Sequence, residues 1–358
     1  MREVANVCSN HGMGSGFRWG GQQVLDDGVG DAPALPGLRG VLRSVRTPEF
    51  ADTVFHEVEA KSVLNRVPGE SAMPFRWTVN PYRGCSHACS YCFARNTHTY
   101  LGLDAGADFD GQIVVKVNVA RVLERELRSP RWAREPVAMG TNTDPYQRAE
   151  GRYRLMPGVI SALAGSGTPF SVLSKGTVLA RDLPQLASAA GEVPVSLGVS
   201  IALLDRALQA RLEPGTPSPA ARLDLVKRIT DAGLYCGVMV APVLPLLTDS
   251  AEALDALFGR IAAAGASGAT VLALHLRPGA REWFHAWLAR EHPHLVEPYA
   301  RLYRRGAYVD PEYRRALAER VRPLLRRHGL ERGVGMLRTP AASRPDPPAP
   351  AAEQLTLL

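Results

Sequence analysis

Three cysteines fall within eight residues of this chain, at Cys85, Cys89 and Cys92 in the stretch NPYRGCSHACSYCFAR. Their C-x3-C-x2-C spacing gathers three soft donors on one short loop, and soft thiolates select iron-sulfur clusters or zinc. A cubane held by three protein ligands keeps one iron open for an outside ligand. A structural zinc site closes with four ligands, usually as two separated pairs, and the remaining cysteines, Cys8 and Cys236, form no second pair. The zinc alternative therefore borrows a histidine, His87 or His98, as its fourth ligand. A total of five cysteines is odd, and three crowd one loop, which favours a metal site over a disulfide framework.

A loop of this kind needs a rigid frame, and the sequence after about residue 70 supplies one. Short apolar runs recur as FRWTVN (75–80), PVAMGT (136–141), PFSVLS (169–174), PVSLGVS (194–200), YCGVMVA (235–241) and ATVLALHL (269–276). They are continuous rather than alternating, as strands buried on both faces are. Between them lie VARVLERELRS, PGVISALAG, RDLPQLASAAG, PAARLDLVKRITDAG and SAEALDALFGRIAAAG, with helical spacing and several terminal glycines. IVVKVN (113–118) reads as an extra strand before the first long helix. The expected class is α/β, a partial (β/α)6 barrel with its chemistry at the carboxyl ends of the strands.

The domain boundaries follow from the same rhythm. Residues 1–70, punctuated by GMGSG and ALPGLRG, are expected to form an irregular N-terminal extension, and 71–280 the core. Residues 281–338 form an Arg-rich helical cap, in which Tyr313, Leu317, Val321 and Leu324 share one face. Residues 339–358, rich in Pro and Ala, are expected to be a disordered tail. No apolar run reaches the roughly 20 residues of a membrane span. The N-terminus carries no secretory signal, so a soluble cytoplasmic protein is expected.

The net charge of +7 is concentrated: Arg277 to Arg338 holds 14 Arg against 7 acidic residues, and the rest of the chain balances. Such a surplus is an electrostatic footprint for phosphates. With four Lys in the whole chain, Arg richness also reflects a general compositional bias.

With a strand before it and an aromatic before its last cysteine, the loop resembles that of the radical S-adenosylmethionine (SAM) superfamily. AKSVLN (60–65), NPYRGCSHACSYCFAR (80–95), GTNTDPYQRAE (140–150), Ser174-Lys175 and the run Ser200 to Arg222 resemble the spore-photoproduct-lyase-like branch over about residues 60–280. Within that branch the likeness is to an uncharacterised actinobacterial group. The resemblance implies a [4Fe-4S] cluster on Cys85, Cys89 and Cys92, with SAM on the open iron. One electron from an external flavodoxin or ferredoxin then cleaves SAM to a 5'-deoxyadenosyl radical.

The resemblance also implies the SAM contacts. Tyr91 matches the aromatic whose backbone meets adenine. Thr141, Asn142 and Thr143, after the second strand, match positions facing the amino group, whereas Asp144 can order the turn instead. Lys175 ends the third strand as a partner for the carboxylate, and Ser200 ends the fourth within reach of carboxylate or ribose. Arg222 pairs with Glu213 or with SAM, and Val240, Ala241 and Pro242 offer an adenine wall. The branch's thiol hydrogen donor after the second strand is missing from AMGTNTD, which sets dimer splitting in doubt. Tyr82, Tyr100 and Tyr146 are alternative donors, and the catalytic residue is left unassigned.

Three readings of function follow. The first is a radical SAM enzyme acting on nucleic acid, as a DNA-repair-like lyase or modifying enzyme. The second keeps the radical chemistry with a small molecule or protein as substrate, and the third is a non-enzymatic, zinc-containing nucleic-acid-binding protein. Gln354, Leu355, Leu357 and Leu358 at the C-terminus resemble the peptide by which repair proteins dock on the DNA sliding clamp.

Overall fold

The computed structural model describes residues 41–46, 50, 53–68 and 73–334. The start of the N-terminal extension and the whole of the tail, with the clamp-like peptide Gln354, Leu355, Leu357 and Leu358, lie outside the described residues.

Strands β1 (Val41–Val45), β2 (Val54–Val58) and β3 (Leu64–Arg66) precede β4 (Trp77–Val79), the two-residue β5 (Tyr82–Arg83) and β6 (Gln112–Lys116). The remainder are β7 (Val137–Met139), β8 (Phe170–Ser174), β9 (Val195–Ser200), β10 (Cys236–Val243) and β11 (Gly268–Ala273). Two sheets result, one ordered β1-β2-β6-β5 and the other β11-β10-β9-β8-β7-β4-β3. In the larger sheet β4 and β7 to β11 run parallel, and only β3 is antiparallel. Those six parallel strands fall on the six apolar runs, and among the described residues the strand order does not close on itself, so the barrel is open.

The crossover helices cover the sheet as their periodicity demands. Helix Pro219–Asp231 buries Leu223, Leu225, Val226 and Ile229, and Ser218 caps its start by accepting from the Ala221 amide. Ser250 does the same for helix Ala251–Ala263. Gly233 and Gly265 end these helices with φ of 75° and 83°, the left-handed region a C-terminal cap requires. In the cap region helix Pro311–Arg327 buries Leu317, Val321 and Leu324, with Tyr313 packed alongside.

The reading of 1–70 as irregular missed three strands. VLRSV, VFHEV and LNR are short and mix polar with apolar residues, and their partners are remote in sequence. β2 pairs in parallel with β6, so the expected extra strand at 113–118 belongs to the smaller sheet.

The end of the described chain returns to the sheet. Leu330 accepts from the Ala269 amide at 2.9 Å, Val334 donates to Thr270 Oγ1 at 2.9 Å, and Tyr235 Oη donates to Gly333 at 2.9 Å. This crossing needs a row of glycines on adjacent strands, Gly198, Gly237 and Gly268, which share one register. A Cβ on Gly237 would lie 2.6 Å from Val334 Cα, and one on Gly268 2.6 Å from the Gly333 carbonyl. No helix among the described residues is long and apolar enough to cross a membrane.

Candidate active site

The cysteine loop leaves β4 through β5 and sits over the carboxyl ends of the parallel strands. It is held from several sides by backbone-directed bonds. Thr143 Oγ1 donates to the Gly84 carbonyl at 2.6 Å, and Gln147 bridges the same carbonyl and the Ser86 amide. Ser90 donates through both its amide and its hydroxyl to the Leu212 carbonyl. Gly215 passes so close that a Cβ there would lie 1.9 Å from the Ser86 carbonyl.

Arg95 is a second clamp that sequence reasoning missed. Fully buried, it donates to the Cys89 carbonyl from Nε (3.2 Å) and Nη2 (3.0 Å), to Gly106 from Nη1 (2.8 Å) and to Asp110 from Nη2 (2.9 Å). A buried guanidinium without such partners would be costly, and five fixed donors let it tie loop, turn and helix together.

Cys85 and Cys89 are buried and Cys92 half-buried, with Phe109 and Ala94 packed around the loop. Burial pushes all three thiols up, reinforced for Cys85 by the Asp144 carboxylate. Burying three such groups as bare thiolates is unfavourable, and a cationic iron-sulfur core is the partner that reverses this. A cubane would take one thiolate on each of three irons. Of the histidines offered as zinc ligands, His87 Nδ1 lies 3.2 Å from Asp144 Oδ2 and His98 Nε2 2.9 Å from the Gln112 carbonyl, while His98 Nδ1 has no hydrogen-bond partner among the described residues. Three soft thiolates on one short loop fit a [4Fe-4S] cluster.

Behind the loop the strand ends bring Tyr91, Lys175 and Ser200 together around a residue the sequence reading had treated only as a structural partner, Glu213. Lys175 Nζ donates to Glu213 Oε1 and Tyr91 Oη, each at 2.9 Å, and the Tyr91 hydroxyl itself donates to Glu213. Arg222, fully buried, donates to Glu213 Oε2 at 2.6 Å and to the Ser200 carbonyl at 2.9 Å. Burial of Glu213 opposes its ionisation, but Lys175 and Arg222 outweigh that and hold its carboxyl far below the usual range. Tyr91 is pushed up by burial and by Glu213, so it stays neutral and donates. Lys175 is the one member of this group with an open side, 13% exposed against 0% for Glu213 and Arg222.

The GTNTD turn divides its members. Asn142 is exposed, and Thr141 Oγ1 donates to Asn80 Oδ1 at 3.3 Å. Thr143 is buried with its hydroxyl engaged by Gly84 and Gln147. Asp144 ties the turn to β8, accepting from the Tyr146 amide, the Ser174 hydroxyl and the Lys175 amide. Its burial works against ionisation, yet His87 and these donors hold its carboxyl low. Cys236, at the first residue of β10, is buried at the opposite end of the strand from this rim.

An open parallel α/β sheet with three loop thiols, two buried and one half-buried, and a lysine at its carboxyl rim defines a cluster-binding enzyme of the partial-barrel class. The radical SAM superfamily model matches residues 79–257, half of the chain, and the chain belongs to that superfamily. Proteins of Mycobacterium tuberculosis and Mycobacterium bovis, both uncharacterized, are 61% identical over 317 residues, covering 88% of this chain and 93% of theirs. Among solved structures, a spore photoproduct lyase variant superposes with a TM-score of 0.58 at 17% identity, over 81% of this chain and 85% of that one. Another, with bound AdoMet and dinucleoside spore photoproduct, gives 0.55 at 15% identity, over 74% and 76%. The protein is a radical SAM enzyme whose cofactors are a [4Fe-4S] cluster and SAM, and such enzymes draw on an external electron donor.

Proposed function

We propose that the enzyme acts on nucleic acid, with Cys85, Cys89 and Cys92 holding the cluster and Tyr91, Thr141, Asn142, Thr143, Lys175 and Ser200 forming the SAM site. When bound, the cluster and SAM supply a low-potential electron and a 5'-deoxyadenosyl radical. The chain's own residues hold and orient. Lys175 presents a fixed ammonium toward the open side of the rim and suits the SAM carboxylate. Glu213 acts through Lys175 by holding its ammonium in place, and Arg222 fixes Glu213 from the other side. Thr143 acts chiefly by fixing the loop, leaving half-buried Thr141 and exposed Asn142 as the remaining polar groups of the turn. The electron comes from a flavodoxin or ferredoxin in the cytoplasm.

The observation that carries the substrate class is the solvent-facing arginine surface of the C-terminal region, with Arg304, Arg305, Arg315 and Arg322 all exposed. The fold shared with a lyase solved with a dinucleoside lesion supports it. Splitting of that lesion is not part of the proposal, because Gly140 to Thr143 carries no thiol and Cys236 is buried at the far end of β10.

Anisotropy titrations of reconstituted enzyme with DNA and RNA oligonucleotides test this reading, since phosphate contacts make log Kd climb linearly with log salt. Flat or absent binding would leave a small molecule or protein as the substrate, with the cofactor chemistry intact. Deuterium transfer from a labelled oligonucleotide into 5'-deoxyadenosine then identifies the substrate. Titration of the peptide containing Gln354, Leu355, Leu357 and Leu358 against sliding clamp tests the docking reading, and no binding at high micromolar clamp ends it.

A further inference from the structure

We infer that Phe93, His275 and Tyr308 form a stacking platform for an unpaired nucleobase beside the cysteine loop, an inference that rests on the nucleic-acid reading above. Phe93 follows Cys92 directly, and His275 lies two residues beyond the end of β11, so both belong to the rim of the site. Phe93 and His275 have ring centroids 5.5 Å apart, and His275 stacks on Tyr308 at 5.9 Å with an interplanar angle of 29°. The ladder is set by backbone as well as by rings. His275 and Tyr308 form an antiparallel bridge, and the Leu276 amide donates to the Ala307 carbonyl at 2.7 Å.

The two outer rings are open. Five large hydrophobic side chains are exposed among the described residues, and two of them are Phe93 at 36% and Tyr308 at 45%. A ladder that served only to pack the fold would cover its outer faces. The cationic surroundings select the ligand. The exposed Arg277 guanidinium sits 5.5 Å over the Phe93 ring, and exposed Arg304 and Arg305 lie in the turn leading to Tyr308. Rings interleaved with guanidinium groups are the chemistry that grips an unpaired base and its phosphates, since every base has a π-face. Burial, with help from Arg277, pushes the His275 pKa down to about 4, so the middle ring is neutral at neutral pH. A paired base has its faces covered, which makes the ligand a single-stranded or extruded nucleotide.

The test uses full-length reconstituted protein and a single-stranded oligodeoxynucleotide carrying 2-aminopurine. Anisotropy reports affinity, and 2-aminopurine quenching reports stacking. Tyr308→Ala is expected to weaken binding by about 5- to 150-fold and to remove the quenching, whereas Tyr308→Phe keeps both. Arg277→Ala is expected to lower the salt slope by about 1. Iron content and circular dichroism establish that each variant is folded and loaded. Wild-type binding that Tyr308→Ala leaves unchanged in affinity and quenching overturns the platform alone. A loss confined to the KM for SAM overturns it too, by assigning the rings to the cofactor's adenine. If the wild type binds no oligonucleotide even at low salt, the nucleic-acid reading itself falls.

Discussion

Among the described residues two glutamates, Glu150 and Glu213, are fully buried, and they do different work. Glu150 accepts from Tyr82 Oη at 2.5 Å, from Arg181 Nη2 at 2.7 Å and from the amides of Leu155 and Met156. Its partners join the smaller sheet to the barrel and start a helix, so every bond is consumed within the scaffold. Glu213 also gathers a tyrosine and two cations, Tyr91, Lys175 and Arg222, but it takes no backbone amide and stands behind a lysine with an open side. The same ingredients thus build a joint in one place and a poised cation in the other. The backbone amides separate the two roles, because Glu150 is bonded to the amides of Leu155 and Met156 while Glu213 is bonded to side chains; partner exposure does not, since Arg181 is 25% exposed and Lys175 13%.

The largest expected effect lies at the open rim. Cys85→Ala, Cys89→Ala or Cys92→Ala should each abolish SAM cleavage and most of the iron, measured by iron analysis and absorbance near 400 nm after anaerobic reconstitution. Stoichiometric zinc in the wild type instead would break the cluster assignment.

Glu150→Ala should be the most damaging change to the fold, costing about 3–5 kcal/mol by leaving the buried Tyr82 hydroxyl and two amides without their acceptor, while Arg181 keeps Asp182. Denaturant unfolding measures this, and a cost below about 1 kcal/mol would erase the contrast between joint and rim. Lys175→Met should act first on binding. It removes a partly open cation and should weaken SAM binding by about 10- to 150-fold, the equivalent of a charge-assisted hydrogen bond of about 1.5–3 kcal/mol. Its unfolding midpoint should fall by less than that of Glu150→Ala, because Arg222 and Tyr91 remain on Glu213.

The smallest effect is a pH dependence. The carboxyl of Glu213 is held below its unfolded value, so its contribution is complete above the ordinary glutamate range and is lost as pH falls toward the folded pKa. His98, with its pKa lowered to about 4 chiefly by burial, adds a loss that begins below its unfolded value near 6.5. Thermal melting of the apoprotein should therefore decline from about pH 6.5 downward and steepen below about pH 4.5. The His98→Asn variant should lessen the first part only, leaving the share that His275 contributes over the same range.

The parallel strands and crossover helices were legible because their signals are local: continuous apolar runs, serine caps and terminal glycines lie within a dozen residues of one another. β1 to β3 were not legible, since short polar-apolar mixtures acquire strand geometry only from partners far along the chain. The thiols announced themselves through type and spacing. Arg95, inside the same motif, gave no such signal, because an arginine in a polar stretch reads as surface until the turn at Gly106 and the side chain of Asp110 close over it. Glu213 was visible as an ion-pair partner of Arg222, but its link to Tyr91 and Lys175 exists only once strand ends distant in sequence meet.

The glycine row beneath Gly333 and Val334 has a consequence for how the protein is made. Gly268 leaves the ribosome well before the residues that cover it, so the nascent sheet carries an uncovered strip until Leu330 to Val334 emerge and dock. Chain completion is therefore built into the folding order, and a nascent chain stopped short of residue 330 exposes backbone and apolar surface of the kind that chaperones bind.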